Sequence, residues 1–185
     1  AWLDEAFTSY AEDKLMKKEY GLITPVPIEA AYITSPRSLT MNAWDYASHD
    51  EYAENVYIRG KLVLKAIEQE LGSDLMRQVL RSYVDEWRFR HPSTADFVNT
   101  LERVSKRDWK SFIEPYVLDG MMLDYSIDKS ESKMTNQEGK SVYTNEITMS
   151  RHGGTGFEVP ILLKFEDGHE VHTSWDGQEP TKSFR

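Results

Sequence analysis

The chain has 185 residues, 39% of them hydrophobic and 12% aromatic, enough apolar surface for one domain or a domain plus part of another; a disordered chain is excluded. Lys and Arg number 22 against 31 Asp and Glu, a formal net charge of −9, which argues against nucleic acid or an anionic membrane as partner. There is no cysteine, so disulfides, thiol catalysis and Cys-ligated zinc are excluded. No apolar run approaches the roughly 20 residues that span a bilayer, and no signal peptide is visible.

The first residues, Ala1-Trp2-Leu3, show no initiator Met and no capping residue ahead of an apolar-periodic stretch, and the last stretch is polar. The expectation is an excised piece of a longer protein. Residues 2–20 are helix formers with a stripe at Leu3, Ala6, Phe7, Tyr10, Ala11 and Leu15, stopping at Gly21. Residues 22–50 hold Pro25, Pro27 and Pro36, which predicts a long ordered loop of the kind that lines sites. The clearest helix is 52–71, with Val56, Tyr57, Gly60, Val63, Leu64, Ile67 and Leu71 on one face and Gly72 closing it. Ser73 is expected to cap a third helix running to about Phe89, with Leu75, Val79, Leu80, Tyr83 and Trp87 inward, before His91-Pro92 breaks it. Ser93 and Asp96 predict a capping box for a helix over Thr94 to Val104. A fifth helix is expected from about Asp108 to Tyr116, with Trp109, Phe112 and Ile113 on its apolar side.

After Gly120 the apolar period changes from 3.6 to 2. Four antiparallel strands are predicted: one with Leu123, Tyr125 and Ile127, one with Tyr143, Ile147 and Met149, one with Val159, Ile161, Leu163 and Phe165, and one with Val171, Thr173 and Trp175. Turns are expected at Asn136 to Lys140 and at Asp167-Gly168, and a flexible hairpin at Gly153-Gly154-Thr155-Gly156. The fold class is therefore α+β, with a helical part over 1–120 and an antiparallel sheet over 121–185.

The histidines His49, His91, His152, His169 and His172 are scattered over different elements. His169-Glu170-Val171-His172 superficially resembles a zinc motif, but its two histidines are three apart in a predicted strand and point to opposite faces; a solvated edge strand is the better reading. No phosphate-binding glycine loop and no nucleophile elbow is present. On residue chemistry alone the chain holds no complete active site.

Two positions stand out. Glu5 lies nearly opposite the Leu3/Phe7/Tyr10 stripe on a polar face with Thr8, Ser9 and Glu12. That face is either simply solvated or packs on a missing neighbour that needs a carboxylate. Tyr57 sits at the edge of its stripe, one turn before Gly60. A glycine inside a helix costs about 1 kcal/mol relative to alanine, so something should approach closely there. Tyr57 is either an ordinary half-buried aromatic or a ring that offers its hydroxyl to a cleft.

Trp2-Leu3-Asp4-Glu5-Ala6-Phe7-Thr8-Ser9-Tyr10-Ala11-Glu12 resembles the W-L-N-E-G-F-A-x-Y-x-E segment of the M1-family zinc aminopeptidases, which are gluzincins. Val56-Tyr57-Ile58-Arg59-Gly60 with Leu62-Val63-Leu64 resembles that family's V-Y-x-K-G-x-x-V-L, and Trp87 to Ser93 with Asp96-Phe97 is similar to a later stretch. Phe165-Glu166-Asp167-Gly168 and Trp175-Asp176-Gly177 resemble the β-sandwich that follows in many bacterial members. The resemblance implies the helical half of a thermolysin-like catalytic domain followed by a partial antiparallel β-sandwich. It implies that Glu5 is a zinc ligand, completing a set with two histidines of an H-E-x-x-H helix, and that Tyr57 donates to the oxyanion of the transition state. Such a zinc lowers the pKa of a water and polarises the scissile carbonyl. The departures are Asp4 for Asn, Ala6 for Gly, and Ile58-Arg59 for Glu-Lys.

H-E-x-x-H and the G-x-M-E-N segment that holds a substrate's free amine are absent from these residues. The implied parent hydrolyses peptides from the N-terminus, with zinc as cofactor, while the fragment alone is expected to be inactive and not to retain zinc. Its expected partners are peptide substrates and the missing N-terminal part of the same chain, and an excised half-domain is expected to self-associate. Two other readings stay open: an M1-like scaffold without peptidase activity that mediates protein–protein contacts, and a free-standing binding module over 121–185.

Overall fold

The computed structural model describes residues 1–137, 140–154 and 158–185, and leaves aside the side chains of Gln137 and Lys140. The fold is α+β, in two compact units, Ala1–Met121 and Met122–Arg185. The first unit holds α1 (Trp2–Tyr20), α2 (Val26–Ala30), α3 (His49–Ala53), α4 (Gly60–Leu71), α5 (Ser73–Trp87), α6 (Thr94–Ser105) and α7 (Lys110–Ile113). Two π-helical turns, Glu54–Arg59 and Glu114–Leu118, continue α3 into α4 and extend α7.

In α1 the inward row is Trp2, Ala6 and Tyr10, spaced four apart as one helix face requires, while Ala11 and Leu15 of the expected stripe are exposed. The residues expected to form one long loop over 22–50 contain α2, entered from Pro25 with Pro27 in its first turn, and a 3₁₀ turn at Ala43–Asp45. The central helix begins at His49, earlier than its apolar stripe, because Ser48 caps it by accepting from the Glu51 N–H. Ser73 does not cap α5: Gly72 holds that position, and the Ser73 hydroxyl donates to Glu68 Oε1 at 2.8 Å. Met76, Val79 and Tyr83 are the buried residues of α5, whereas Leu75, Leu80 and Trp87 are half-buried. The Ser93/Asp96 capping box of α6 is present in both directions. Trp109 stands before α7 as its N-cap, and burial continues past the expected end at Tyr116 through Val117.

The core of this unit is aromatic at one end. Phe97 meets Trp2, Phe7 and Tyr83 edge-on, with ring centroids 6.1, 5.1 and 5.4 Å away. The Trp2 indole N–H, which burial would otherwise strand, donates to Thr94 Oγ1 at 3.0 Å.

The second unit has five strands among its described residues, one more than expected: β1 (Tyr125–Gln137), β2 (Lys140–Arg151), β3 (Val159–Lys164), β4 (Glu170–Trp175) and β5 (Thr181–Phe184). They form one antiparallel sheet ordered β1-β2-β5 and a second of β3-β4. Strand β5 carries no readable period, because Thr181-Lys182-Ser183-Phe184 shows a single apolar side chain. The register of β1 on β2 runs from Tyr125 opposite Arg151 to Gln137 opposite Lys140, with a bulge between Ile127 and Lys129. The turn expected at Asn136 to Lys140 and the hairpin expected at Gly153 to Gly156 both run into residues outside the described ones. Val171, Thr173 and Trp175 do share the more buried face of β4, with Trp175 fully buried.

Candidate active site

Helix α1 and the helix from His49 to Leu71 lie side by side and run in the same direction. Glu5 meets Tyr57, Ala6 meets Gly60, Asp13 meets Lys61 and Lys65, and Lys14 meets Glu68. The order of these pairs rises along both helices, so one seam places residues 52 positions apart in contact.

At the start of the seam, Tyr57 Oη donates to Glu5 Oε1 at 2.6 Å. Tyr57 is 37% exposed and Glu5 is half-buried, so both side chains reach solvent. The carboxylate that accepts this hydrogen bond pushes the Tyr57 phenol up to about 12, with burial and the Glu5 charge adding in the same direction. The phenol is therefore a neutral donor throughout the physiological range. Tyr52 packs edge-on against Tyr57 at 6.1 Å and against Tyr46 at 5.5 Å. Burial first, then the charges of Glu5 and Asp4, raises the Tyr52 phenol as well. The close approach expected at Gly60 is made by Ala6, the neighbour of Glu5.

Further along, Lys61 and Lys65 bridge Asp13 of α1 and the buried Glu29 of α2, with Glu29 oxygens 2.5 and 2.7 Å from the two ammonium groups. This two-cation, two-anion group is net neutral, which is what permits its burial. It fixes α2 against the pair of helices that carry Glu5 and Tyr57.

The 34–47 segment is fastened to the other side of the same central helix. Glu54 Oε2 accepts from the backbone N–H of Thr34 at 2.9 Å and of Ser35 at 3.3 Å. Glu51 accepts from the Ala47 N–H at 2.6 Å, the Ser35 hydroxyl at 2.8 Å and Arg37 Nε at 2.9 Å, and these donors, led by the Ala47 N–H, hold its carboxyl down to about 2. Asn55, fully buried, accepts from the Arg37 N–H and donates to the Ser35 and Glu51 carbonyls. Glu51, Glu54 and Asn55 were not singled out in the sequence. The readable signal was their spacing of three and four, a polar helix face opposite a loop rich in Ser, Thr and Pro.

The histidines do not join this site. His91, His169 and His172 are exposed, His152 contacts Ser126 at 2.8 Å in the second unit, and His49 sits 6.4 Å from the Tyr52 ring. Among the described residues no group of three or more His, Cys, Asp or Glu gathers to hold a metal ion. Glu5 can serve as one ligand: its Oε2 accepts no hydrogen bond among the described residues and is open to a cation. A catalytic zinc takes three protein ligands, so Glu5 fits as a member of a set and not as a site by itself.

The profile of the peptidase family M1 domain matches residues 1–116 of the 185. Probable aminopeptidase 2 of Sulfurisphaera tokodaii is 23% identical over 195 residues, covering 89% of this chain and 23% of that protein. The crystal structure of Legionella pneumophila aminopeptidase A in complex with aspartic acid superposes with a TM-score of 0.62 at 14% identity, over 97% of this chain and 21% of that one, a likeness of fold. The chain thus spans less than a quarter of the length of either relative. The matched region takes in both helices of the seam and nearly all of the first unit, and on that ground the chain belongs to peptidase family M1.

Proposed function

We propose that this chain supplies part of the active site of a zinc-dependent aminopeptidase, with Glu5 as one metal ligand and Tyr57 as the donor that stabilises the oxyanion. The observation that carries this reading is the 2.6 Å hydrogen bond from Tyr57 to Glu5, which joins two short segments 52 residues apart, both similar to functional segments of the family. Zinc, when bound, contributes Lewis-acid chemistry: it activates water and polarises the scissile carbonyl. Glu5 presents a carboxylate oxygen towards solvent for that ion. Tyr57 keeps its proton because its phenol is raised, so it can donate to negative charge that develops on a peptide carbonyl oxygen. At rest that donor is parked on Glu5, and the same hydroxyl turns to the oxyanion when substrate is present. Peptides with a free N-terminus are the proposed substrates, and the remaining zinc ligands come from chain outside these 185 residues.

The test is hydrolysis of aminoacyl p-nitroanilides by the 185-residue chain and by the longer gene product that contains it. The short chain is expected to be silent. The longer product is expected to be active, to lose activity with a chelator and with Glu5→Gln, and to fall about 10²–10³-fold in kcat with Tyr57→Phe. A longer product that keeps its activity in both variants removes the proposal. A longer product that is inactive with excess zinc favours the non-catalytic scaffold, whose seam would serve stability alone.

A further inference from the structure

Arg59 is 1% exposed, yet it faces no carboxylate among the described residues. Buried cations are normally paired with anions. Here the two Nη groups donate to backbone carbonyls, Nη1 to Arg37 at 2.6 Å and Nη2 to Tyr116 and to Met121, the latter at 3.3 Å, while the buried Nε–H has no partner among the described residues. The Tyr116 carbonyl lies in the last turn of the Glu114–Leu118 helix, where carbonyls lack internal partners and the dipole is negative, and the Met121 carbonyl lies three residues beyond that end. Backbone carbonyls, one of them at a helix end, thus take the place of a counter-ion. Gly120, at φ +77°, lets the Arg37 backbone come so near that a Cβ on it would stand 2.6 Å from the Arg37 carbonyl carbon.

The other partner of Arg37 completes the arrangement. Its N–H donates to Asn55 Oδ1 at 2.7 Å, while its carbonyl accepts from Arg59. Asn55 and Arg59 are two residues before and two residues after Tyr57, on the same π-helical turn. One residue of the loop is therefore gripped at both its peptide groups by the side chains that bracket Tyr57. π turns are rare and occur mostly as single turns inside α-helices, frequently at functional sites.

We propose that Arg59 is a positioning residue: by joining the Arg37 carbonyl to the Tyr116 and Met121 carbonyls it holds the π turn in place and aims Tyr57 at Glu5 while touching neither. The claim concerns the Tyr57–Glu5 contact, and its bearing on catalysis rests on the function proposed above.

The test uses the 185-residue chain labelled with 3-fluorotyrosine, the Tyr57 line being assigned from Tyr57→Phe. In the wild type, Glu5→Gln should shift the Tyr57 ¹⁹F line. In Arg59→Gln that response should be lost with helix content retained, and in Arg59→Lys, which keeps a buried cation, it should persist. Val79→Ala, a core truncation in α5, controls for general loosening and should leave the response intact. A response that survives in Arg59→Gln, or that Val79→Ala removes equally, overturns the positioning role. A wild-type line indifferent to Glu5→Gln would instead strike at the Tyr57–Glu5 pair itself. Should Arg59→Gln not fold, native-state hydrogen exchange on the wild type decides. The amides of Leu39 and Met121 should then open in the same event as those of Ile58 to Lys61, and independent opening overturns the proposal.

Discussion

A Cβ placed on Gly60 would stand 2.7 Å from the Cβ of Ala6, so the helices that carry Tyr57 and Glu5 touch almost backbone to backbone beside that pair. This close approach fixes the spacing of the two helices next to the Tyr57–Glu5 hydrogen bond. The single methyl of Ala6 fills the space that remains.

Substituting Gly60 tests the seam. Alanine gains about 1 kcal/mol of helix propensity, but overpacking typically costs about 1–3 kcal/mol. Gly60→Ala is therefore expected to lower the urea midpoint, and Ala6→Gly combined with Gly60→Ala to recover it. A Gly60→Ala chain more stable than the wild type would contradict the close approach.

Acid should loosen the 34–47 segment before it unfolds the rest. The carboxyl of Glu51 is held down to about 2 by the Ala47 N–H, Arg37 and Ser35, and that of Glu54 is lowered chiefly by the Thr34 N–H. A carboxyl depressed in the folded state contributes stability above its unfolded pKa of about 4.3, and that stability drains as pH falls through the folded value. The melting temperature should drop between about pH 4 and pH 2, and Glu51→Gln should lower the plateau and flatten this limb. Thermal melts across that range would show it, and an unchanged limb in the variant would exclude Glu51 as its source.

Alkali should act at Tyr57. Its phenol, raised to about 12, contributes stability that is complete below the unfolded value of about 10 and is lost as pH rises through the folded one. Glu5→Gln removes both the charge and the acceptor carboxylate, so Tyr57 should ionise nearer to 10. Ultraviolet difference titration of Tyr57→Phe against the parent, with and without Glu5→Gln, isolates that one phenol.

We predict that the isolated chain self-associates through its exposed aromatics. Trp44 is 81% exposed beside a cleft that Trp87 also lines, and Phe89 is 101% exposed at φ +64°. Both rings present large apolar surface to water that a second copy could cover. Sedimentation should depend on concentration, and Trp44→Ser with Phe89→Ser should weaken the effect. A chain that sediments as a monomer at all concentrations contradicts it.

Much of the helical part was legible because its signals are local. Gly21 and Gly72 end α1 and α4, and Ser93 with Asp96 starts α6, each within one turn of the residues it acts on. Glu5 and Tyr57 were readable as individuals, through the helix wheel and through resemblance, but their contact was not, since nothing local relates positions 52 apart. The grip of Glu51, Glu54, Asn55 and Arg59 on the loop was hidden for a related reason. These are charged and amide residues that a hydrophobic pattern assigns to solvent, whereas Glu51, Asn55 and Arg59 are buried with backbone groups as partners, those of the loop and, for Arg59, also those of Tyr116 and Met121. The β5 strand was missed because four residues with one apolar side chain carry no period.

The π-helical turn at Glu54–Arg59 has a consequence for chain length. Each residue advances an α-helix by about 100°, so one residue added to or taken from this turn would rotate everything before it by that angle relative to everything after. Glu51 and Asn55 would then face away from the loop while Gly60 still met Ala6. The number of residues between the loop-gripping face and the Ala6-facing face thus acts as a phase setting. An insertion there that conserved every side chain but not the count would break the grip on the loop, which replacing Tyr57 would leave in place.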